Sequence, residues 1–118
     1  MRITSQQVIN SLVNALADEY SRKILLKTID HSYSVEELSR SENVPISTAY
    51  RRVNELKDAG LLTVEKTILT NDGKKFEMYR SAFRSIHIDL RGSEIVIDAD
   101  LNEDVATRLS RLWAAMRA

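Results

Sequence analysis

The stretch from 43 to 62, NVPISTAYRRVNELKDAGLL, constrains the fold most, because it combines a start signal, helical apolar spacing and a stop signal. Pro45 suits a turn or a first helical position, since it has no backbone N–H to leave unpaired, and Gly60 suits the residue after a helix. Between them, apolar residues recur at three- and four-residue spacing and so share one helical face. These residues are Ile46, Ala49, Val53 and Leu56. We therefore expect a helix over 46–59 that is buried on this face.

The opposite face of the predicted helix carries hydrogen-bonding side chains. They are Ser47, Tyr50, Arg51 and Asn54. An arginine can bind guanine or phosphate through two parallel hydrogen bonds, so double-stranded DNA is the natural candidate partner. The same face could simply be solvated, because Arg and Asn are ordinary at exposed positions. The neighbouring segments have to decide between these two interpretations.

Two helices are predicted upstream. Thr4 and Gln7 have the spacing of a capping box and precede helical apolar spacing, which indicates a first helix from about Ser5 to Ala17. Asp18 can cap the second helix. The apolar stripe of that helix is Tyr20, Ile24, Leu25 and Ile29. Neither helix needs a functional explanation.

Ser34 and Glu37 form another capping box and open a short helix that ends near Glu42. A short helix, a turn of a few residues and a longer helix with an exposed polar face make up the helix-turn-helix arrangement. In that arrangement the second helix enters the major groove of DNA. The context of the 46–59 helix thus favours DNA over a merely solvated face.

Strand patterns begin at Leu61. The segments LLTVEKTIL and FEMYRSAF flank Asp72-Gly73, which predicts a hairpin with a two-residue turn. Lys74 and Lys75 fall at its tip, with Lys66 and Arg80 farther down. A hairpin with a basic tip directly after such a helix is typical of a DNA-contacting wing, although lysines at a hairpin tip also serve solubility.

A second hairpin is predicted over 86–99, with a II′ turn at Gly92-Ser93. This register places Leu90 opposite Ile95 and Ile88 opposite Ile97 on an apolar face. The polar face then opposes Arg91 with Glu94 and His87 with Asp98. Either the core or a partner has to cover the apolar face.

The last segment begins with Asp100 and Glu103 at capping spacing and continues as an amphipathic pattern. A terminal helix bearing Trp and Met can close a small core or form a two-fold dimer. We expect a homodimer, in which the contact residues are Val105, Leu109, Leu112, Trp113 and Met116.

The 118 residues fit one compact unit, with 43% hydrophobic and 29% charged residues typical of a globular protein. Net charge is zero, from 17 basic and 17 acidic side chains, which argues against a strongly basic, non-specific DNA coat. Residues 1–84 carry 13 basic and 11 acidic side chains, and residues 85–118 carry 4 and 6. We expect 1–84 to bind DNA and 85–118 to mediate dimerisation.

Composition also limits compartment and chemistry. The chain has no cysteine, which excludes disulfides and thiolate metal sites and fits a reducing interior. No apolar run is long enough for a membrane span and the start, MRITSQQ, is too polar for a signal peptide, so we expect a cytoplasmic protein without membrane partners.

We expect neither an enzyme nor a cofactor. Only His31 and His87 could act as neutral-pH acids or imidazole ligands, and they are far apart in sequence. Helix capping explains most of an acidic run that could otherwise bind a hard cation. That run is Asp98, Asp100, Glu103 and Asp104. No glycine-rich phosphate loop, nucleophile elbow or HExxH motif occurs.

Two segments carry a resemblance to a known family. ALADEYSRKIL, over 15–25, resembles the segment that opens the domain of ArsR-like winged helix-turn-helix transcriptional regulators of prokaryotes. VPISTAYRRVNELKDAGLL is similar to their recognition helix, especially in archaeal members. The resemblance covers roughly residues 12–83. The metal-sensing members use cysteines near the recognition helix, so the absence of cysteine implies a member that does not sense metals.

The resemblance implies a role for each matching residue. It implies that Ser47, Thr48, Tyr50, Arg51 and Arg52 face the groove and its phosphate walls. It also implies that Lys74 and Lys75 contact the flanking backbone or the minor groove. Thr48 and Arg52 lie nearer the edges of the helical face than the other residues.

The expected fold class is α+β and mostly helical: a winged helix-turn-helix domain with a hairpin wing, a second hairpin and a C-terminal helix. The expected function is sequence-specific, homodimeric transcriptional regulation. One alternative is a winged-helix protein–protein interaction module without specific DNA binding. Another is a ligand-controlled regulator whose pocket lies between the terminal helices and the second hairpin, for an effector that the sequence does not identify.

Overall fold

The computed structural model of this protein describes residues 1–102, so the predicted C-terminal helix and its dimer residues lie outside the described part. The elements follow the order β1 (Arg2–Ile3), α1 (Gln6–Ala17), α2 (Glu19–Lys27), α3 (Val35–Ser41), α4 (Ile46–Asp58), β2 (Leu62–Leu69), β3 (Lys75–Ser81), β4 (Phe83–Arg91) and β5 (Glu94–Leu101). Among the described residues, no helix is long and apolar enough to cross a membrane.

The capping of the first three helices explains where each begins. Ser5, rather than the predicted Thr4, caps α1, since the Ser5 hydroxyl accepts from the Val8 N–H. Asp18 caps α2 as predicted by accepting from the Ser21 N–H at 2.9 Å. The capping box predicted for α3 is present.

Helices α3 and α4 form the predicted helix-turn-helix. The turn between them contains Asn43 at φ 53°, a left-handed conformation that asparagine tolerates better than most residues. Helix α4 follows Pro45, and Gly60 after it has φ 80°. Ala49, Val53 and Leu56 are buried as predicted, but Ile46 is exposed, because it is the first residue of α4 and precedes the buried stripe that starts at Ala49.

The wing pairs β2 with β3, with Leu69 opposite Lys75 as the last pair. Its loop differs from the predicted two-residue turn. The Gly73 N–H donates to the Thr70 carbonyl, and the Thr70 N–H donates to the Lys74 carbonyl. Gly73 is at φ 84° whereas Asp72 keeps a negative φ, so three residues, 71–73, form the loop. At the base of the wing, Tyr33 forms an antiparallel bridge with Tyr79.

The second hairpin has the predicted register. Leu90 opposes Ile95, Ile88 opposes Ile97, and Arg91 opposes Glu94. Gly92 has φ 58°, as the first central position of a II′ turn requires. Strand β5 continues through Leu101, so Asp100 lies in a strand rather than at the predicted helix start.

Sequence reasoning missed β1, a two-residue strand that pairs with the outer edge of β5 and gives the sheet order β1-β5-β4. Arg2 therefore neighbours Asp98 and donates to its carboxylate at 3.0 and 3.2 Å. His87 lies opposite Asp98 as predicted, but the ion pair of Asp98 is with Arg2. Strands take 34% of the described residues against 40% in helices, so the expectation of a mostly helical fold is not confirmed.

One hydrophobic core unites these elements. Leu12, Ile24, Leu38, Val53 and Ile97 are fully buried in it. The core therefore joins helices α1 to α4 to the base of the second hairpin. The apolar face expected on the second hairpin is only partly covered, since Ile88, Leu90 and Ile95 are exposed.

Candidate nucleic-acid interface

Helix α4 presents three polar side chains directly to solvent. Ser47, Arg51 and Asn54 are exposed, and none of their side chains has a hydrogen-bond or ion-pair partner among residues 1–102. The buried face of the same helix is anchored by Ala49 and Val53. The three polar groups are thus held on a rigid element and remain available to an external ligand.

Tyr50 is exposed on this face, but its hydroxyl is already engaged. It donates to a carboxylate oxygen of Glu36 on α3. This bond lowers the pKa of the Glu36 carboxyl and raises the pKa of the Tyr50 hydroxyl, since it stabilises ionised Glu36 and protonated Tyr50. The Tyr50 ring, rather than its hydroxyl, is therefore the part available for outside contact.

The two edge residues of the helical face differ from its centre. Thr48 is half-buried. Arg52 donates to both carboxylate oxygens of Asp18, at 2.9 and 3.2 Å, and lies 3.5 Å from a carboxylate oxygen of Glu55. The pKa of Asp18 is lowered, first by the Ser21 backbone N–H and then by the Ser21 and Arg52 side chains. The guanidinium of Arg52 is thus directed to the start of α2.

The wing tip lies beside α4. Lys74 and Lys75 are exposed, and their ammonium groups have no partner within the described range. Lys75 and Tyr50 line the same groove, of about 220 Å³, together with residues of α3 and β3. The structure therefore brings Lys75 of the wing close to Tyr50 on the outward face of α4.

Arg80, placed farther down the wing than the tip lysines as expected, is buried. Its guanidinium donates to the Ile29 carbonyl at 2.9 Å and to the Asn102 side-chain oxygen at 3.2 Å, and lies 3.4 Å from Glu65. Asn102 is fully buried and donates to the carbonyls of Ile29 and Ser81. This polar cluster joins both hairpins to the end of α2.

The pattern could have indicated this burial. In FEMYRSAF, Arg80 is two residues from Met78 and so lies on the same face of the strand as this apolar side chain. The apolar residues Ala82 and Phe83 follow directly after Ser81. The partners that make a buried guanidinium stable come from distant parts of the chain: Ile29, Glu65 and Asn102.

An apolar groove of about 370 Å³ lies between α1, α2 and β4. Leu16, Leu26, Phe83 and Ile86 contribute to its walls, and Arg22 and Arg84 are also among the lining residues. The groove lies between the N-terminal helices and the second hairpin. That is the region where the ligand-controlled alternative places its pocket.

The two histidines belong to no metal site among the described residues. His31 and His87 are exposed, and the described residues contain no group of three His, Cys, Asp or Glu side chains positioned to hold a metal.

Comparison with known proteins supports the fold. No protein-family model matches the chain, and no curated protein sequence matches it significantly. The structure is similar to that of NolR from Sinorhizobium fredii, with a TM-score of 0.51 and 16% identity over 70% of this chain and 82% of that one. HlyU from Vibrio cholerae N16961, in its reduced form, gives a TM-score of 0.43 and 19% identity over 90% of this chain and 88% of that one. With its helix-turn-helix followed by a β-hairpin wing, the chain has a winged-helix fold.

Proposed function

We propose that this protein is a sequence-specific DNA-binding transcriptional regulator that acts as a homodimer. The observation that carries the proposal is that Ser47, Arg51 and Asn54 of α4 are exposed with no side-chain partner among residues 1–102. Lys75 of the wing, likewise without a partner in that range, lines a groove with Tyr50 of the same helix. A helix of 13 residues with one buried face can enter the major groove, which admits an α-helix.

The residue types suggest which side chains contact bases and which contact phosphates. Arg51 suits a bidentate contact with guanine and Asn54 suits adenine, while Ser47 can bond either a base or a phosphate. The Tyr50 ring supplies an apolar contact, as for a thymine methyl group. Lys74 and Lys75 are point charges for the phosphate backbone, which positions the protein without reading sequence.

The edge residues receive different roles from those implied by the family resemblance. We infer that Arg52 positions α4 through Asp18 rather than binding phosphate, because a second partner would have to replace two existing hydrogen bonds. Thr48 remains a candidate for a contact at the margin of the groove.

The dimer and its domain assignment complete the proposal. We infer that residues 1–84 bind DNA and that residues 85–118, including Val105, Leu109, Leu112, Trp113 and Met116, mediate dimerisation. Two subunits related by a two-fold axis would bind half-sites about 34–36 Å apart, or a multiple of that distance. We also propose that the protein belongs among the ArsR-like regulators that do not sense metals.

Selection of bound duplexes from a randomised DNA pool at physiological salt tests the proposal. We expect enrichment of an inverted repeat, whose affinity then falls with salt at a slope of about −0.9 per neutralised phosphate. The Arg51→Ala variant, selected in parallel, should enrich a shorter or more degenerate consensus. Absence of any enriched sequence with the wild-type protein would overturn the proposal.

The exposed apolar residues of the second hairpin favour one rival function, a protein–protein interaction module. Ile88, Leu90 and Ile95 expose apolar surface that a protein partner could cover. Salt separates the two functions, since a phosphate-driven complex weakens steeply with salt whereas an apolar interface does not.

A further inference from the structure

Among residues 1–102, no strand pairs with the outer edge of β4. In the sheet order β1-β5-β4, β4 is the terminal strand and spans nine residues, Phe83–Arg91. Among residues 1–102, its only paired strand is β5. The register with β5 shifts between Phe83 and Ser85, and the pairing is regular from Ser85 to Arg91. A long exposed edge strand is a template for pairing with another strand.

The hairpin geometry identifies which backbone groups face this edge. The two-residue loop closes on Arg91 and Glu94, which in such hairpins form a hydrogen-bonded pair. Hydrogen-bonded and non-bonded pairs alternate along an antiparallel ladder. The N–H and C=O groups of Ile86, Ile88 and Leu90 consequently point away from β5, towards the open edge.

The side chains of these same residues occupy the apolar face. Leu90 is 81% exposed and Ile88 is 44% exposed, whereas Ile97, opposite Ile88 on β5, is fully buried. The open edge and the exposed apolar surface thus coincide on the distal half of one strand. A single added strand would cover both.

We propose that β4 pairs antiparallel with β4 of a second copy of this chain, about a two-fold axis at Ile88. In this register Ile88 opposes itself, and Ile86 opposes Leu90 of the second copy. On the polar face His87 opposes Asp89 of the second copy, and Ser85 opposes Arg91. The strand is therefore self-complementary, as an isologous two-fold interface requires.

Neighbouring registers are worse. An axis at Asp89 opposes two Asp89 carboxylates and places His87 opposite Arg91. An axis at His87 opposes two imidazoles and pairs Arg84 with Leu90. Directly opposed like charges destabilise a strand pair, while apolar cross-strand pairs stabilise it, so the Ile88 axis is favoured.

The pairing names an interface for the proposed dimer within the described residues. This strand pairing rests on the proposed function only because both require a homodimer. The pairing should form in the absence of DNA. The joined sheet would run β1-β5-β4 in one copy and β4-β5-β1 in the other, with no open β4 edge in either.

Single-cysteine cross-linking tests the register, because the natural chain has no cysteine. Opposed residues in a hydrogen-bonded antiparallel pair have Cα atoms about 5.5 Å apart, within the roughly 4.4–6.8 Å range of disulfides. We expect Ile88→Cys to form a disulfide-linked dimer under mild oxidation. The matched control is Ile95→Cys on β5, which is 42% exposed on the same face but one strand farther from the axis. It should remain uncross-linked. Equal cross-linking of both variants, or of neither, would overturn the proposal.

Sedimentation without DNA gives an independent readout. We expect Leu90→Lys to weaken the wild-type dimer at least tenfold, since it places a charge in the apolar pair with Ile86. Leu69→Lys is the matched control, because Leu69 is 73% exposed at the wing and lies outside the proposed interface. Circular dichroism should show both variants folded. The pairing would be overturned if the wild type were monomeric, or if Leu90→Lys left the dissociation constant of the dimer unchanged.

The two proposals fail in distinguishable ways. A cross-linked Ile88→Cys dimer that enriches no DNA would count against the regulator and leave the strand pairing standing. Enrichment of an inverted repeat by a protein that fails both tests above would leave the regulator standing, with its dimer contact elsewhere.

Discussion

The guanidinium of Arg52 on α4 donates two hydrogen bonds, of 2.9 and 3.2 Å, to the carboxylate of Asp18 at the junction of α1 and α2. Asp18 also accepts the capping hydrogen bond from the Ser21 N–H. One carboxylate thus starts α2 and fixes α4 relative to it. The orientation in which α4 presents Arg51 to solvent depends in part on this pair.

Replacement of Arg52 by Gln should lower the free energy of unfolding by about 1 kcal/mol, because the pair is partly exposed and solvent screens it. Asp18→Asn removes the charge but keeps a capping oxygen, so it isolates the ion pair from the cap. Urea unfolding of both single variants and the double variant gives the coupling. We expect the double variant to lose less than the sum of the two single losses. Strict additivity would show that the two side chains do not stabilise each other.

Arg51→Ala should cost about 1–3 kcal/mol of binding to the preferred DNA sequence and relax specificity at one base pair. Lys75→Ala should weaken binding to all duplexes alike and reduce the salt slope by about one unit. Fluorescence anisotropy on the selected duplex and on a scrambled one, over a salt series, measures both effects.

Arg84→Ala is the matched control for both variants, because Arg84 is an exposed arginine on β4, in the other sheet. It also removes one positive charge, but it should leave the base preference and the salt slope nearly unchanged. If all three substitutions had equal effects on every duplex, net charge rather than the α4 surface would govern binding.

Asn102→Ala should destabilise the fold by about 1–3 kcal/mol, the cost of leaving buried polar groups unpaired. It removes one acceptor of Arg80 and the donor to the carbonyls of Ile29 and Ser81. Asn54→Ala, at an exposed position of α4, should change stability by no more than about 0.5 kcal/mol. Thermal or urea unfolding compares the two variants, and similar losses in both would contradict the role given to the Arg80–Asn102 cluster.

Tyr50→Phe should raise the pKa of Glu36 towards its ordinary value of 4.5, because the Tyr50 hydroxyl is the main cause of its depression. A carboxyl whose folded pKa lies below its unfolded pKa stabilises the fold fully above the unfolded value and loses that effect as the pH falls through the folded one. The stability difference between wild type and Tyr50→Phe should therefore shrink in acid.

Carboxyl carbon NMR titration measures the pKa of Glu36 directly. Tyr33→Phe is a suitable control, since no hydrogen bond between its hydroxyl and Glu36 is present. An unchanged Glu36 titration in Tyr50→Phe would refute the assigned hydrogen bond.

Local patterns in the sequence determined much of this fold. The box of Ser34 and Glu37, the cap at Asp18 and the pairing of Leu90 with Ile95 all follow from residues close together in the chain. Their signals are short-ranged, because capping and tight turns each satisfy backbone groups within a few residues. The apolar and polar faces of α4 followed in the same way from a 3.6-residue period.

Tertiary structure decided which polar side chains are free. Arg51 and Arg52 are adjacent in sequence and of one type, yet Arg52 meets Asp18 from 34 residues away whereas Arg51 meets no partner in the described chain. Nothing near Arg80 in the sequence indicated that Asn102, 22 residues away, would bind its guanidinium. Pairing of a charged group depends on which distant partner the fold brings within about 3 Å, and neither periodicity nor propensity encodes that distance.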